Sequence, residues 1–109
     1  MNKPLIDKNG IKYWFDQQDR LHREDGPAID CANGTKEWYQ DGIIHRDDGP
    51  AIERADGDKY WYQQGKLHRE NGPAVENANG SKEWWIKGEQ LNVSSQEEFE
   101  RLMRLKSFW

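Results

Sequence analysis

The sequence predicts a mainly β protein, a meandering antiparallel sheet of repeated hairpins that is closed by one C-terminal capping helix. Three observations favour this fold class. A unit of 23 residues recurs along most of the chain, and a fixed period of this size is typical of repeat architectures. All ten glycines fall at turn signals between short segments. After residue 91 the pattern changes to that of an amphipathic helix.

The repeated unit carries the signature His-Arg-acid-Asp/Asn-Gly-Pro-Ala. The three histidines and the three Gly-Pro pairs each recur at a spacing of 23 residues. We refer to residues 22–27, 45–50 and 68–73 as the signature loops. Because the signature is present in every copy, we expect its residues to be structural; they are His22, Arg23, Gly26, Pro27, His45, Arg46, Gly49, Pro50, His68, Arg69, Gly72 and Pro73.

The domain organisation follows from the repeat. We expect a single domain over residues 1–109, with hairpin repeats over residues 9–91 and a helical segment over residues 92–109. The connector at residues 16–20 is one residue longer than its counterparts. Full units then run over residues 21–43, 44–66 and 67–89.

Each unit contains three turn signals. The Asn-Gly and Asp-Gly pairs at residues 33–34, 56–57 and 79–80 predict type I′ turns, which need φ > 0 at both central residues. A second turn is expected after the aromatic strand, at residues 41–42, 64–65 and 87–88. The third is the Gly-Pro pair, where we expect glycine in a left-handed conformation and proline at the start of an extended segment.

Short strands are expected between the turns. One set covers residues 28–31, 51–54 and 74–77, and the other covers residues 36–40, 59–63 and 82–86, with residues 12–16 leading. Alternation along a strand sends successive side chains to opposite faces. We therefore expect two ladders of aromatic side chains, Trp14, Trp38, Trp61 and Trp84 on one face and Phe15, Tyr39, Tyr62 and Trp85 on the other.

The C-terminal segment predicts a helix from about residue 96 to residue 107. Ser94 and Ser95 precede Glu97 and Glu98, which offers a capping box. An apolar stripe recurs at helical spacing and consists of Phe99, Leu102, Met103 and Trp109. Because the end of an open repeat array must be covered, we expect this helix to be a cap, and the alternative is a helix that binds a partner.

Composition and charge exclude several classes of function. The formal net charge is −4 and the pI is about 5.4, which argues against a grip on a nucleic-acid polymer or on anionic lipid. Cys31 is the single cysteine, so an internal disulfide is excluded. No apolar run has the length of a membrane span, and the first residues do not resemble a signal peptide. We expect a cytoplasmic protein of a bacterial cell or of a phage-infected host cell.

The histidines invite a metal or catalytic interpretation, which their spacing disfavours. Equivalent residues of successive hairpins lie two strands apart, roughly 10 Å, whereas zinc ligands each lie ~2 Å from one ion. His22, His45 and His68 therefore cannot share a metal. No nucleophile lies beside a unique base, there is no phosphate-binding glycine loop, and the acid pairs recur with the repeat. We expect no enzymatic activity, no metal and no cofactor.

Two stretches carry a family resemblance. Tyr39-x-x-Gly42-x-x-His45 and Tyr62-x-x-Gly65-x-x-His68 resemble MORN repeats, and the Asn-Gly-x-Lys-x-Trp-Tyr element is similar to bacterial repeat proteins of the YwqK antitoxin type. The signature is similar to tandem repeats of small bacterial and phage proteins. The resemblance implies a hairpin sheet that acts as a scaffold for protein contacts. In the last unit Leu91 stands at the histidine position.

The expected function is that of a non-enzymatic binding module. We expect a small intracellular inhibitor, an antitoxin or a phage anti-defence protein, that binds a target protein. One alternative is a binder of nucleotides or other small ligands, and another is a structural protein that self-assembles through the open sheet end or the helix. The candidate partner-binding residues are Trp38, Trp61, Trp84, Tyr39, Tyr62, Trp85 and Trp109.

Overall fold

A computed structural model describes residues 3–105 of the chain. Over those residues the fold has fourteen two-residue strands followed by one helix. The predicted fold class is confirmed, because antiparallel hairpins form one long sheet and the helix follows the last hairpin. The elements are β1 (Leu5–Ile6), β2 (Lys12–Tyr13), β3 (Ile29–Asp30), β4 (Lys36–Glu37), β5 (Tyr39–Gln40), β6 (Ile43–Ile44), β7 (Ile52–Glu53), β8 (Lys59–Tyr60), β9 (Tyr62–Gln63), β10 (Lys66–Leu67), β11 (Val75–Glu76), β12 (Lys82–Glu83), β13 (Trp85–Ile86), β14 (Glu89–Gln90) and α1 (Gln96–Leu105).

Eight of the strands form one antiparallel sheet in the order β1-β2-β3-β4-β7-β8-β11-β12. Successive units keep one register, so that Ile29 pairs with Glu37 in the same way as Ile52 pairs with Tyr60. Leu5 pairs with Tyr13 in this register too. The sheet therefore begins before residue 9, where the repeats were predicted to start.

The predicted strands over residues 36–40, 59–63 and 82–86 are each divided at their tryptophan. The residues before the tryptophan belong to the long sheet, and those after it form the separate hairpins β5–β6, β9–β10 and β13–β14. The Trp38 N–H donates to the Ala51 carbonyl at 2.8 Å, whereas the Trp38 carbonyl accepts from the His45 N–H at 3.0 Å. Because these two groups bond to different neighbours, the chain passes from one sheet into the next at this residue.

The type I′ geometry occurs at the second turn of each unit. Asp41 and Gly42 have φ of 53° and 83°, so both central residues are left-handed. The same geometry recurs at residues 64–65 and 87–88. These two-residue turns close the short hairpins, as their geometry favours.

The predicted type I′ turn at the Asn-Gly and Asp-Gly pairs is wrong. Within such a pair only the glycine is left-handed, as at Gly34 with a φ of 101°. The physical reason is a longer loop, in which the Cys31 N–H donates to the Thr35 carbonyl and the Gly34 N–H donates to the Cys31 carbonyl. The Asn33 side chain accepts the Thr35 N–H at 3.0 Å and holds the loop in this form.

Each signature loop places an arginine between a tryptophan ring and a glycine. The Arg46 Cζ lies 3.8 Å from the ring centroid of Trp38. Its Nε–H donates to Asp48 at 3.0 Å and its Nη1–H donates to the Pro50 carbonyl at 3.0 Å. We call this arrangement the Trp–Arg–Gly stack, and its three copies are Trp14–Arg23–Gly26, Trp38–Arg46–Gly49 and Trp61–Arg69–Gly72.

The stack explains the glycine of the signature. The prediction of a left-handed conformation at Gly26, Gly49 and Gly72 is wrong, since none of them has a positive φ. A Cβ built at Gly49 would instead lie 2.9 Å from the Arg46 Cζ. Glycine is therefore needed for space, because any side chain would push the guanidinium away from the ring.

Each histidine ties its signature loop to the turn of the next short hairpin along the chain. The His45 Nδ1 accepts the backbone N–H of Gln64 at 2.9 Å, and its Nε2 lies 2.9 Å from an Asp47 carboxylate oxygen. Because Nδ1 accepts, the ring proton is assigned to Nε2, which donates to Asp47. His22 and His68 make the same bond from Nδ1, to the N–H groups of Asp41 and Lys87.

A row of alternating charges crosses the long sheet on the face of the Trp–Arg–Gly stacks. Paired positions place basic and acidic side chains next to one another, and Lys36 lies 3.1 Å from Asp30. Arg46 reaches the same row at Glu53, at 3.2 Å. Opposite charges on neighbouring strands favour the observed register. The row consists of Lys12, Asp30, Lys36, Glu53, Lys59, Glu76 and Lys82.

The helix covers the C-terminal end of the array. Phe99 is 1% exposed and packs with Trp84 and Ile86, with ring centroids of Phe99 and Trp84 6.5 Å apart. Phe99 thus packs on Trp84, whereas an arginine lies over Trp14, Trp38 and Trp61. The Ser95 hydroxyl accepts the Glu98 N–H at 3.1 Å and caps the helix. Residues 106–109, which include Trp109 and the predicted last turn, lie outside the described residues.

Replacement of Gly49 by alanine is expected to destabilise the fold through the stack. The added methyl group overpacks against the Arg46 guanidinium, which costs about 1–3 kcal/mol of unfolding free energy. Arg54→Ala removes only an exposed contact, in which the guanidinium lies 5.4 Å from the Tyr60 ring centroid, and is expected to change it by about 0.5 kcal/mol. Urea denaturation measures both values.

A double-mutant cycle tests whether the Arg46 guanidinium is the cause of the destabilisation by Gly49→Ala. With Arg46→Ala in the background the methyl group has room, so Gly49→Ala is expected to cost much less than it does in the wild type. Additive losses would show that the guanidinium is not what requires glycine at this position.

Candidate functional site

The two faces of the long sheet present different side chains. The stack face carries the arginines and the alternating charges. The opposite face carries aromatic rings, because directly paired residues share a face, and so do residues two apart in a strand. We call it the aromatic face, and its half-buried rings are those of Tyr13, Phe15, Tyr39, Tyr60, Tyr62 and Trp85.

Neighbouring side chains hold the rings of the aromatic face in place. Tyr13 and Phe15 stack with centroids 6.5 Å apart and an interplanar angle of 23°. The Tyr39 hydroxyl donates to Glu37 at 3.0 Å. The Trp85 Nε1–H donates to Glu83 at 2.9 Å in the same way. At these three places the residue before the tryptophan supports the ring two positions later, whether it is tyrosine or glutamate.

The predicted partner-binding residues that the structure describes lie in three different settings. Trp38 and Trp61 lie on the stack face, each with a guanidinium over its ring. Trp84 is 4% exposed beneath the helix and cannot contact a partner in this arrangement. The three that the structure brings together on the aromatic face are Tyr39, Tyr62 and Trp85, whereas Trp109 lies outside the described residues.

Two residues of the aromatic face were missed by sequence reasoning. Tyr13 and Tyr60 precede a tryptophan, at a position that is glutamate in the other units. The residue type at this position varies along the chain, yet both rings are half-buried, and Tyr13 stacks on the ring two residues on. The spacing Tyr-x-aromatic, which puts both rings on one face of a strand, was the available signal.

Burial changes the ionisation of the tyrosines on this face. Burial, followed by the negative charge of Glu37 and the hydrogen bond to it, raises the pKa of Tyr39 to about 12. Burial raises the pKa of Tyr62 as well. These phenols therefore remain neutral hydrogen-bond donors well into alkaline solution.

One group of potential metal ligands is present among residues 3–105. Asp16, His22 and Asp41 offer ligand atoms within 4.8 Å of one another. The His22 Nδ1, however, uses its single lone pair to accept the Asp41 N–H at 3.0 Å. The Arg20 Nε–H donates to Asp16 at 2.8 Å and neutralises it. These contacts explain the clustering of the three side chains as an ion-pair network at the longer first connector, without a metal ion.

Open clefts lie between successive signature loops on the side of the stacks. The acidic side chains of the loops line two of them, and Asp47 and Asp48 border both. The five signature carboxylates are 78–87% exposed. Their negative charge disfavours the phosphates of a nucleotide, although Lys66 and Lys87 also line one of the clefts. The faces of Trp38 and Trp61 are already covered by arginine. The alternative of a nucleotide binder gains little from this geometry.

Comparisons of the chain with protein-family models, with curated proteins and with solved structures find no match. Among the described residues there is no helix with the length and apolar character to cross a membrane.

The raised pKa of Tyr39 predicts a specific change in alkaline titration. In the wild type one phenol is expected to ionise near pH 12, and Tyr39→Phe is expected to remove that step from the tyrosinate absorbance. Glu37→Gln is expected to lower the pKa, because it removes a negative charge beside the phenol.

The same shift predicts the alkaline limit of stability. Since the folded pKa is raised from 10.0 to about 12, the contribution of Tyr39 is complete below pH 10 and is lost as the pH rises to 12. Over that window the melting temperature of the wild type should fall more steeply than that of Tyr39→Phe. Parallel curves would contradict the burial of this phenol.

Proposed function

We propose that this chain is a non-enzymatic binding module that recognises a target protein through the aromatic face. The observation that carries the proposal is the row of six half-buried aromatic rings, which recur with the repeat and remain partly open to solvent. On the stack face the corresponding rings are covered by the molecule itself. On the aromatic face the Arg54 guanidinium lies 5.4 Å from the Tyr60 ring centroid, whereas the rings of Tyr39, Tyr62 and Trp85 are ordered but only half-buried, which leaves them available to a partner.

The chemistry of these rings favours a protein over other ligands. Tyrosine and tryptophan are enriched among the residues that dominate binding energy at protein interfaces. They bring large contact area at a low cost in side-chain entropy, and here hydrogen bonds and stacking already hold Tyr39, Trp85 and Tyr13. The molecule measures 47 × 30 × 18 Å, so its thin, elongated form presents a broad face for its size.

The target that we propose is a protein that this chain inhibits in the cytoplasm. The support is the resemblance of the repeats to MORN-like and YwqK-type antitoxin sequences, together with a mildly acidic charge that disfavours nucleic acid and anionic lipid. An antitoxin or a phage anti-defence protein acts by occupying a target surface, which requires no catalytic group. A broad aromatic face suits that mode of action.

The proposal predicts that loss of two rings abolishes capture of the target. Tyr39→Ala/Tyr62→Ala is expected to lose at least about 2 kcal/mol of binding free energy, because central aromatic residues of interfaces commonly contribute this much. A tagged chain is incubated with bacterial lysate, the recovered protein is identified, and its affinity for each variant is measured by calorimetry.

The matched control is Lys59→Ala. Lys59 is exposed and adjacent to Tyr60 in the same strand, so its side chain lies on the stack face. The Lys59→Ala variant should bind the target with the affinity of the wild type. The recovered target should lose its activity when either the wild type or Lys59→Ala is added. Unchanged affinity of the tyrosine variant, with an unaltered melting temperature, would contradict the aromatic face as the binding surface.

A further inference from the structure

Four Asn-Gly pairs occur in the chain, at residues 9–10, 33–34, 71–72 and 79–80. Asparagine followed by glycine is prone to deamidation, because glycine has no side chain to block the approach of its backbone nitrogen to the asparagine Cγ. The four pairs share this chemistry. They differ in what the fold does with the reacting atoms.

At three of the pairs the nitrogen is engaged in a turn. The glycine has a left-handed φ, and its N–H donates to the carbonyl three residues earlier. The side-chain oxygens of Asn33 and Asn79 also accept the backbone N–H two residues later. Cyclisation would have to break the glycine N–H bond first, because that nitrogen must leave its acceptor to reach the asparagine Cγ. The three bonds run from Gly10 to Asp7 at 3.0 Å, from Gly34 to Cys31 at 3.0 Å and from Gly80 to Asn77 at 2.8 Å.

The pair in the third signature loop lacks the glycine hydrogen bond of the other three, and Gly72 is buried against the Arg69 side chain. The Gly72 nitrogen makes no hydrogen bond to any of residues 3–105, and its φ is not left-handed. Asn71 is exposed, and its Oδ1 accepts the Arg69 Nε–H at 3.2 Å. The guanidinium therefore lies at the oxygen on which negative charge develops when the carbonyl is attacked. Its positive charge also favours the deprotonated form of the attacking amide.

We propose that Asn71 is a site of spontaneous deamidation, with Gly72 nitrogen as the nucleophile and Arg69 as the donor to the developing oxyanion. The Gly72 nitrogen loses its proton to hydroxide and forms a bond to the Asn71 Cγ. The tetrahedral intermediate then breaks the Cγ–Nδ2 bond, and Nδ2 takes up a proton and leaves as ammonia. Water opens the succinimide at Cγ to give aspartate, or at the main-chain carbonyl to give isoaspartate.

The two products act on the fold in opposite directions. Aspartate at position 71 restores the residue of the first two loops, where Arg23 bonds to Asp25 and Arg46 bonds to Asp48, each at 3.0 Å. Isoaspartate adds a methylene group to the main chain beside the Asn71 carbonyl, which accepts the Gln96 side chain of the helix at 3.2 Å. The modification thus either completes the acidic signature or loosens the contact between the third loop and the cap.

The test compares the four pairs within one folded molecule. The wild-type protein is incubated in ¹⁸O-labelled water at neutral and mildly alkaline pH, and each Asn-Gly peptide is followed by mass spectrometry. Asn71 is expected to react on the order of tenfold faster than Asn33 and Asn79 when the chain is folded. In urea the four rates should converge, because the fold no longer distinguishes the pairs.

Two variants separate the role of the guanidinium from a general change in stability. Arg69→Lys is expected to slow the reaction of Asn71 several-fold, since lysine does not reproduce the Nε–H donor. Arg46→Lys disturbs an equivalent stack and should leave the Asn71 rate unchanged. Equal rates at Asn71 and Asn33 in the folded wild type would overturn the proposal, and an unaffected rate in a folded Arg69→Lys variant would overturn the role of Arg69.

Discussion

An arginine held between a tryptophan ring and a glycine backbone is the contact on which this fold depends. A sheet one layer thick cannot bury a tryptophan between two layers, so another group must cover the ring. Guanidinium suits that place because it is planar, weakly hydrated and attracted to the ring face. The Arg46 guanidinium covers the Trp38 ring at 3.8 Å from its centroid, and its N–H groups donate to Asp48 and to the Pro50 carbonyl. One contact therefore accounts for most of the signature.

The same loops give the array its continuity. The His45 Nδ1 accepts from Gln64, and the Arg46 N–H donates to the Tyr62 carbonyl at 3.2 Å, so each signature loop is tied to the next short hairpin along the chain. Contacts between nearest neighbours are what stabilise repeat proteins, and they leave the last unit without a successor. Leu91 replaces histidine there, and Phe99 supplies from the helix the cover that the next loop would have given.

Sequence periodicity reveals the repeat, the antiparallel sheet and the cap, because each leaves a pattern in residue spacing. It does not reveal that the aromatic strand is divided at Trp38, since the alternation of faces continues while the hydrogen-bond partners change. It also misassigns Gly49, because glycine serves equally for a left-handed φ and for lack of space. Only the position of Arg46 distinguishes the two. For the candidate site, the alternation of residues along a strand predicts that Trp38 and Tyr39 lie on opposite faces. It does not predict which of the two rings another side chain covers.

The residues that vary between units lie on the aromatic face, where the fold constrains the residue type least. Each stack must keep its tryptophan and its arginine, whereas the residue before the tryptophan alternates along the chain as Tyr13, Glu37, Tyr60 and Glu83. Both residue types support a neighbouring ring, so the fold accepts either. The aromatic face therefore alternates with a period of two units, about 19 Å across four strands. A partner that binds this face would contact tyrosines at a spacing of two units, whereas the fold repeats with every unit. This difference allows a scaffold of similar units to bind a partner specifically.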